Sequence, residues 1–174
     1  GFMVFFVSFR LLLNKYPFRY RMHRWLMKLP LIGKLLINGD ASRFTRMLAI
    51  MLGSSVDMLD ALLISSKSIY LLPLREEINL VLHAVKEGES LSKALKESPN
   101  IPSIIPHLVV SGETSGNLVE MLDTGAESLE YRVDNFLGIL LGLLEPALIL
   151  IMGGIVLVIV IAILLPIFDM NQLV

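Results

Sequence analysis

The chain has 174 residues, 55% hydrophobic and 18% charged, with a mean hydropathy of +0.71 and a formal net charge of −1. An ordinary soluble domain is roughly 45–50% apolar with about 25% charged residues, so the apolar excess has to sit in particular segments. The chain has no cysteine, which excludes disulfides, thiolate catalysis and cysteine-based metal sites.

The first segment, "GFMVFFVSF" followed by Arg10 and "LLL", is apolar but too short to cross a bilayer, which takes about 20 helical residues. Its basic residues come after it, the reverse of a signal peptide. Residues 1–13 are therefore expected to be the end of a membrane span, in a sequence that begins partway through it. A basic juxtamembrane segment is expected over 14–41. Residues 1–39 carry Arg10, Lys15, Arg19, Arg21, Arg24, Lys28 and Lys34 and no acid. By the bias of Lys and Arg toward cytoplasmic loops, this side is cytoplasmic. Tyr16, Phe18, Tyr20, Trp25 and His23 fit a membrane-interface belt better than a nucleic-acid-binding arm.

No stretch alternates apolar and polar, and helical spacing recurs throughout. Pro30, Gly33, Gly39 and Asp40 punctuate the approach to a helix over about 42–54, with Phe44, Leu48 and Leu52 on one face and Arg43 and Arg46 off it. Asp57 is placed to cap a helix over about 58–70. Pro73 starts a third, with Leu74, Ile78, Leu82 and Val85 inward, Glu76, Glu77, Asn79 and Lys86 outward, and Gly88 closing it. Ser90 is placed to cap a short fourth helix, and "SPNIP" at 98–102 interrupts the pattern. A fifth helix over about 103–112 ends at Gly112 or just beyond.

The sixth helix starts near Asn117. Glu120, Asp123, Glu127, Glu130 and Asp134 mark its solvent face, and Leu118, Met121, Leu122, Ala126, Leu129 and Val133 its core side. Asn117 with Glu120 has capping-box spacing. Near Asn135 the pattern turns uniformly apolar, and the helix can run on toward the membrane. Ala147–Ile167 carries no charge and is long enough to span. The expected fold is all-α: a cytoplasmic six-helix antiparallel bundle hung between two membrane segments, with "DMNQLV" left on the far side of the second.

The chemistry-bearing patterns are thin. His23, His83 and His107 lack the H-E-x-x-H spacing of a metal site. Ser90-Leu-Ser-Lys93 matches S-x-x-K, but the K-T-G partner motif of acylating enzymes is missing. Gly112–Gly116 has two glycines and no lysine before a Ser or Thr, and Glu113 would repel a phosphate. No catalytic, metal or cofactor-binding residue is assigned and no cofactor is expected. Gly112 or Gly116 can take the left-handed turn conformation, and Glu113 is left as a contact within the bundle or to a partner. Glu145 and Pro146 stand at the mouth of the span. Proline and a negative charge both suit a first helical turn, while pairing with another span or subunit is the rival role. Gly138 and Gly142 permit close helix approach.

Six landmarks in order resemble a known family: "LPLIG" (29–33), "RFTRMLAIMLGSSVDMLDAL" (43–62), "VKEGESLSKAL" (85–95), "SGETSGNLVEML" (111–122), "LLEP" (143–146) and "ILLPIFDMNQLV" (163–174). Together they resemble the C-terminal half of the type II secretion system inner-membrane platform protein, the F component, whose superfamily includes the type IV pilus platform protein. The resemblance implies a non-enzymatic adaptor in the bacterial inner membrane, multi-pass, coupling a cytoplasmic ATPase to pseudopilus assembly. It also implies the bounds 42–142 for the cytoplasmic bundle, 144–167 for the transmembrane helix and 168–174 for a periplasmic tail. Implied partners are that secretion ATPase, other inner-membrane platform proteins, pseudopilins, the lipid bilayer and further copies of itself, with no nucleic acid. The family's glycine–glutamate turn falls on Gly112, Glu113, Ser115, Gly116 and Leu118, and its glutamate–proline on Glu145 and Pro146. One departure is Ser55, where the family often has glycine, and a less tight turn is expected there. The type IV pilus platform is the alternative of the same fold. A membrane transporter is the alternative of another class, disfavoured because 147–165 carries no polar residue that could line a path.

Overall fold

The computed structural model describes residues 16–171, with side chains described for 19–163. The expected span end at 1–13 lies outside them, as do the last three residues of the tail. Every regular element among the described residues is a helix: α1 Tyr16–Met27, α2 Ile32–Gly53, α3 Met58–Ser66, α4 Leu72–Lys86, α5 Leu91–Lys96, α6 Ile104–Ser115 and α7 Leu118–Asn171. The all-α reading holds. The six expected bundle helices correspond to α2–α7, and α1 precedes them.

Two differences concern the N-terminal side. The basic segment expected over 14–41 is helical for most of its length. Gly39 and Asp40, read as punctuation, lie inside α2. Asp40 is tolerated there because it is not left bare. It is 2% exposed, its Oδ2 accepts the backbone N–H of Tyr70 at 3.0 Å and of Leu71 at 2.7 Å, and its Oδ1 pairs with Arg43. A buried carboxylate is acceptable when it is paired and hydrogen-bonded. The gain outweighs the helix-breaking tendency of Gly39 and Asp40, which is below about 1 kcal/mol each.

The first compact unit, Gly1–Val133, has its own core. Phe44 and Leu48 of α2, Ala61 and Leu62 of α3, Leu74 and Ile78 of α4, Leu95 of α5, Ile105 and Val109 of α6, and Leu122 and Leu129 of α7 are all sealed from solvent. α2 also packs with α1 and α3, α4 with α1, α3 and α5, and α5 with α6. Of the inward residues expected on α4, Leu74 and Ile78 are fully buried, and Leu82 and Val85 are half-buried against the core. Val81 takes the third deep position.

Helix ends explain the short connections. After α2, Ser55 is a non-glycine residue with φ 62°. Its N–H bonds Leu52 O at 3.0 Å, and the Val56 N–H bonds Met51 O at 3.0 Å. This is the two-bond Schellman closure, so the turn is fully made despite the missing glycine, contrary to the looser turn expected. After α4 the same closure is made by Gly88, φ 95°, with Gly88 N–H on Val85 O and Glu89 N–H on Ala84 O, each at 3.0 Å. Asp57 caps α3 as expected, accepting the Leu59 N–H at 3.1 Å.

The second unit is Asp134–Val174. It lies on α7, which is helical to Asn171. Within α7 an 18-residue window reaches a mean hydropathy of 3.0 with none of it buried, long and apolar enough to cross a membrane. Leu148, Ile149, Leu150, Ile151 and Met152 are each more than half exposed. Water does not favour such a surface, and lipid does.

Candidate functional site

The residues singled out by sequence fall in two places. Gly112, Glu113, Ser115, Gly116 and Leu118 gather around the α6–α7 turn of the first unit. Glu145 and Pro146 belong to the second.

α6 runs through Gly112 and ends just beyond it, at Ser115. The left-handed residue is Gly116, φ 73°. The N–H groups of Gly116 and Asn117 both point to Gly112 O, the latter at 3.0 Å, which satisfies the end of α6. Gly112 is needed for a different reason. A Cβ there would sit 2.8 Å from Leu118 Cα and 3.2 Å from Met121 Cβ. Glycine lets the backbones of α6 and α7 meet closely, and Leu118 is what it meets. Gly125 of α7 makes room for side chains instead, since a Cβ there would come within 2.9 Å of Ile105 Cδ1 and 3.2 Å of Leu108 Cδ1. That position was not singled out in the sequence, because a lone glycine in a helical pattern carries no partner information.

Glu113 has a partner within the bundle. Its Oε1 accepts the backbone N–H of Ser92 at 3.3 Å. Ser92 is the second residue of α5, so Glu113 supplies the N-terminal acceptor that Ser90 was expected to provide. Ser90 sits at the cap position with extended backbone, but makes no side-chain cap bond and lies 3.4 Å from the Ser92 hydroxyl instead. A carboxylate at a helix N-terminus is favoured by both the free N–H groups and the dipole. The "GET" stretch is therefore a clasp between α6 and α5. Ser115 is exposed. Asn117 meets Glu120 through its side-chain amide, 2.8 Å from Oε2, while its backbone N–H is committed to Gly112. The reciprocal capping box is thus replaced by a one-way amide–carboxylate contact.

Two residues placed on the solvent face of α7 are committed to α2. Arg46 pairs with Asp123 and, at 2.9 Å, with Glu130 Oε2. The Ser42 hydroxyl adds a bond to Glu130 Oε1 at 3.2 Å. The Arg46 hydrogen bond, the largest cause, holds the Glu130 carboxyl below its usual range, and Glu130 in turn raises Arg46. Single-sequence reading assigns such acids outward because their partner is 77 to 84 residues away.

His23 also moves from its expected place. Its Nδ1 accepts the Leu72 N–H at 3.2 Å, at the start of α4. Burial pushes its pKa below the usual value, the Arg19 charge pushes the same way, and Asp40 opposes them. With Asp40 on Tyr70 and Leu71, three consecutive N–H groups before and at the first turn of α4 have side-chain acceptors. The Arg75 guanidinium holds the same turn through Ile69 O, 3.0 Å from Nε.

Glu145 and Pro146 lie in the interior of α7, not in its first turn. The first-turn account of this pair therefore does not apply. Pro146 has no N–H to give the Gly142 carbonyl one turn earlier, and Glu145 is exposed among Leu144 and Leu148, each more than half exposed. The structure brings Gly112, Glu113, Gly116 and Leu118 to one turn, and it gives Glu145 and Pro146 no described bond.

Among the described residues no group of three His, Asp or Glu side chains could hold a metal ion. What this site does chemically is fasten helices: one carboxylate on one amide, one glycine under one backbone.

The family model for type II secretion system protein F matches residues 44–166, from Phe44 in the core of α2 through most of α7. The chain is 40% identical to type II secretion system protein F of Pseudomonas aeruginosa over 168 residues, covering 97% of this chain and 42% of that protein. It is 35% identical to the Vibrio cholerae protein of the same name over 173 residues, 99% of this chain and 43% of the other. A type 4 fimbrial assembly protein PilC of Pseudomonas putida is 35% identical over 163 residues, 89% of this chain and 41% of the other. The chain thus spans about two-fifths the length of these relatives. With a matched segment that takes in both the helical core and the apolar helix, the chain belongs to the type II secretion system protein F family.

Proposed function

We propose that this chain is the C-terminal half of an inner-membrane platform component that couples a cytoplasmic ATPase to pseudopilus assembly for protein export. It has no catalysis of its own. The observation that carries the reading is the family match across 44–166. A core clamped by Arg46, Asp40 and Glu113 supports a mechanical role. In this reading residues 42–142 are the cytoplasmic domain, 144–167 the span and 168–174 the periplasmic tail, in a multi-pass protein that assembles with further copies of itself. The bundle docks the motor, and the helix passes its motion to pseudopilins and neighbouring platform proteins. Glu145 and Pro146, exposed on an apolar helix, suit contact with another span or subunit. The PilC likeness keeps the pilus machine as a second reading, with the same fold and the same division of labour.

The docking face is narrower than the acidic stripe of α7. Asp123 and Glu130 are occupied by Arg46, which leaves as exposed carboxylates of that stripe in the first unit Glu127 and Glu120, the latter bonded only locally, to the Asn117 amide. In the full-length protein, the double substitution Glu120→Lys, Glu127→Lys is expected to weaken co-purification of the motor ATPase from membranes at least several-fold, with helix content unchanged. Undiminished ATPase recovery rules this face out. In situ crosslinking in the native membrane then identifies the partners directly.

A further inference from the structure

The turn from α1 into α2 exposes a surface that the core leaves unused. Trp25 is 64% exposed, Leu31 64% and Ile32 48%. Around them Arg19, Arg21, Arg24, Lys28 and Lys34 are all exposed, and no acid occurs before Asp40. Arg21 and Trp25 share one stripe of α1, and Lys28, in the turn that follows, continues their spacing. This is not a loose loop. Met27, Leu36 and Ile37 pack against the core behind it, His23 is fixed to the Leu72 amide, and Gly33 lies against the Met27 carbonyl with no room for a side chain.

A soluble helix that exposes tryptophan, leucine and isoleucine normally mixes charges of both signs around them. Here the charges on α1 and its turn are of one sign, and the acids Glu76 and Glu77 of α4 line a cleft with Tyr20, Arg24 and Lys28 that does not include Trp25, Leu31 or Ile32. Indole sits well at the headgroup level of a bilayer, aliphatic side chains enter the boundary beneath it, and each nearby Lys or Arg raises partition onto an anionic surface roughly fivefold. Leu31 and Ile32 offer a nucleic acid nothing to stack on, which favours lipid. The patch also follows the apolar stretch "FMVFFVSF" at 2–9 and "LLL" at 11–13, with Arg10 between them, by fewer than twenty residues.

We propose that α1 and its turn into α2 form an interfacial seat on an anionic bilayer. Trp25, Leu31 and Ile32 enter the headgroup region, and Arg21, Arg24, Lys28 and Lys34 meet the lipid phosphates. The seat rests on the chain being membrane-resident and is indifferent to the machine it serves.

The chain has one tryptophan, so its fluorescence reports this site alone. The chain is reconstituted into bilayers of phosphatidylcholine, alone or mixed with phosphatidylglycerol, with brominated acyl chains as quencher. Expected are blue-shifted, quenched emission in the anionic bilayer, weaker quenching in the neutral one, and loss of the difference at high salt. Arg21→Glu with Lys28→Glu abolishes the shift at unchanged helix content, and Leu31→Asn with Ile32→Asn reduces the quenching. Emission typical of indole in water in the anionic bilayer overturns the seat. So does quenching that is equal in both lipids and indifferent to the charge reversal. Flotation is measured on the same samples: a chain that does not float overturns membrane residence itself, whereas a floating chain with unquenched Trp25 overturns only the seat.

Discussion

Ser55 holds a left-handed backbone that glycine adopts without penalty and an L side chain enters at about 1–2 kcal/mol. Both Schellman bonds are already made, so a glycine there gives up nothing in the folded state apart from some unfolded-chain entropy. Ser55→Gly is expected to stabilise the bundle by up to about 1 kcal/mol, read as a rise of roughly 2–4 °C in melting temperature. Glu113 runs the other way. Glu113→Ala removes the acceptor on the Ser92 amide, and losing an N-terminal cap costs about 0.5–2 kcal/mol. An exposed partner at 3.3 Å belongs at the low end of that range. Amide exchange at Ser92 is expected to quicken in Glu113→Ala and to recover partially in Glu113→Gln, which keeps an oxygen acceptor but not the charge. Unchanged exchange in the alanine variant would remove the capping role.

At the scale of elements, the start of α4 is the place where pH acts. His23 accepts the Leu72 N–H only through an unprotonated Nδ1. Its folded pKa lies below the ordinary histidine value of 6.5, so the unfolded chain binds the proton more readily. The contribution is therefore complete above about 6.5 and is lost as pH falls through the lower folded value. Exchange at Leu72 is expected to accelerate on acidification across that window, and His23→Ala is expected to abolish the pH dependence. An identical profile in the variant would assign the effect elsewhere. Here too lies the boundary of what the sequence disclosed. Helical periodicity, Asp57, Pro73 and Gly88 were enough to place the start of α3, α4 and the core face of α7, because those signals act within one turn. α3, expected to run to about 70, ends at Ser66, since the Tyr70 and Leu71 amides turn to Asp40. Asp40, His23, Arg46 and Glu113 were misplaced or left open, because the groups they bond lie 21 to 84 residues away. Glu113 in particular could be recognised as unnecessary for its own turn, but nothing local named the Ser92 amide. The same locality explains why Gly112 and Gly116 stood as equal candidates for the helix stop, when Gly116 makes it and Gly112 serves a close approach to Leu118.

For the whole molecule, all the residues sealed from solvent among those described precede residue 130. The long-range ion pairs among the described residues do so or end at Glu130. A chain ended at Val133 therefore retains every core contact. It is expected to keep the helix content of the first unit and to unfold in one cooperative thermal transition by circular dichroism. A broad, non-cooperative melt would show that the apolar helix is needed for the bundle. Family membership and an exposed apolar helix agree on an inner-membrane protein, and the bundle accounts for the segment of that helix that is not apolar.

α7 sets an order in time. Its first turns supply Leu122, Ala126 and Leu129 to a core otherwise made of earlier residues, and chains fold as they are synthesised, N-terminal regions first. The bundle must wait for the last helix before its core closes. The residues synthesised next are the apolar ones of that same helix. Closing the core and committing the apolar stretch to lipid thus fall in one short interval of synthesis, with little time for either to be completed alone.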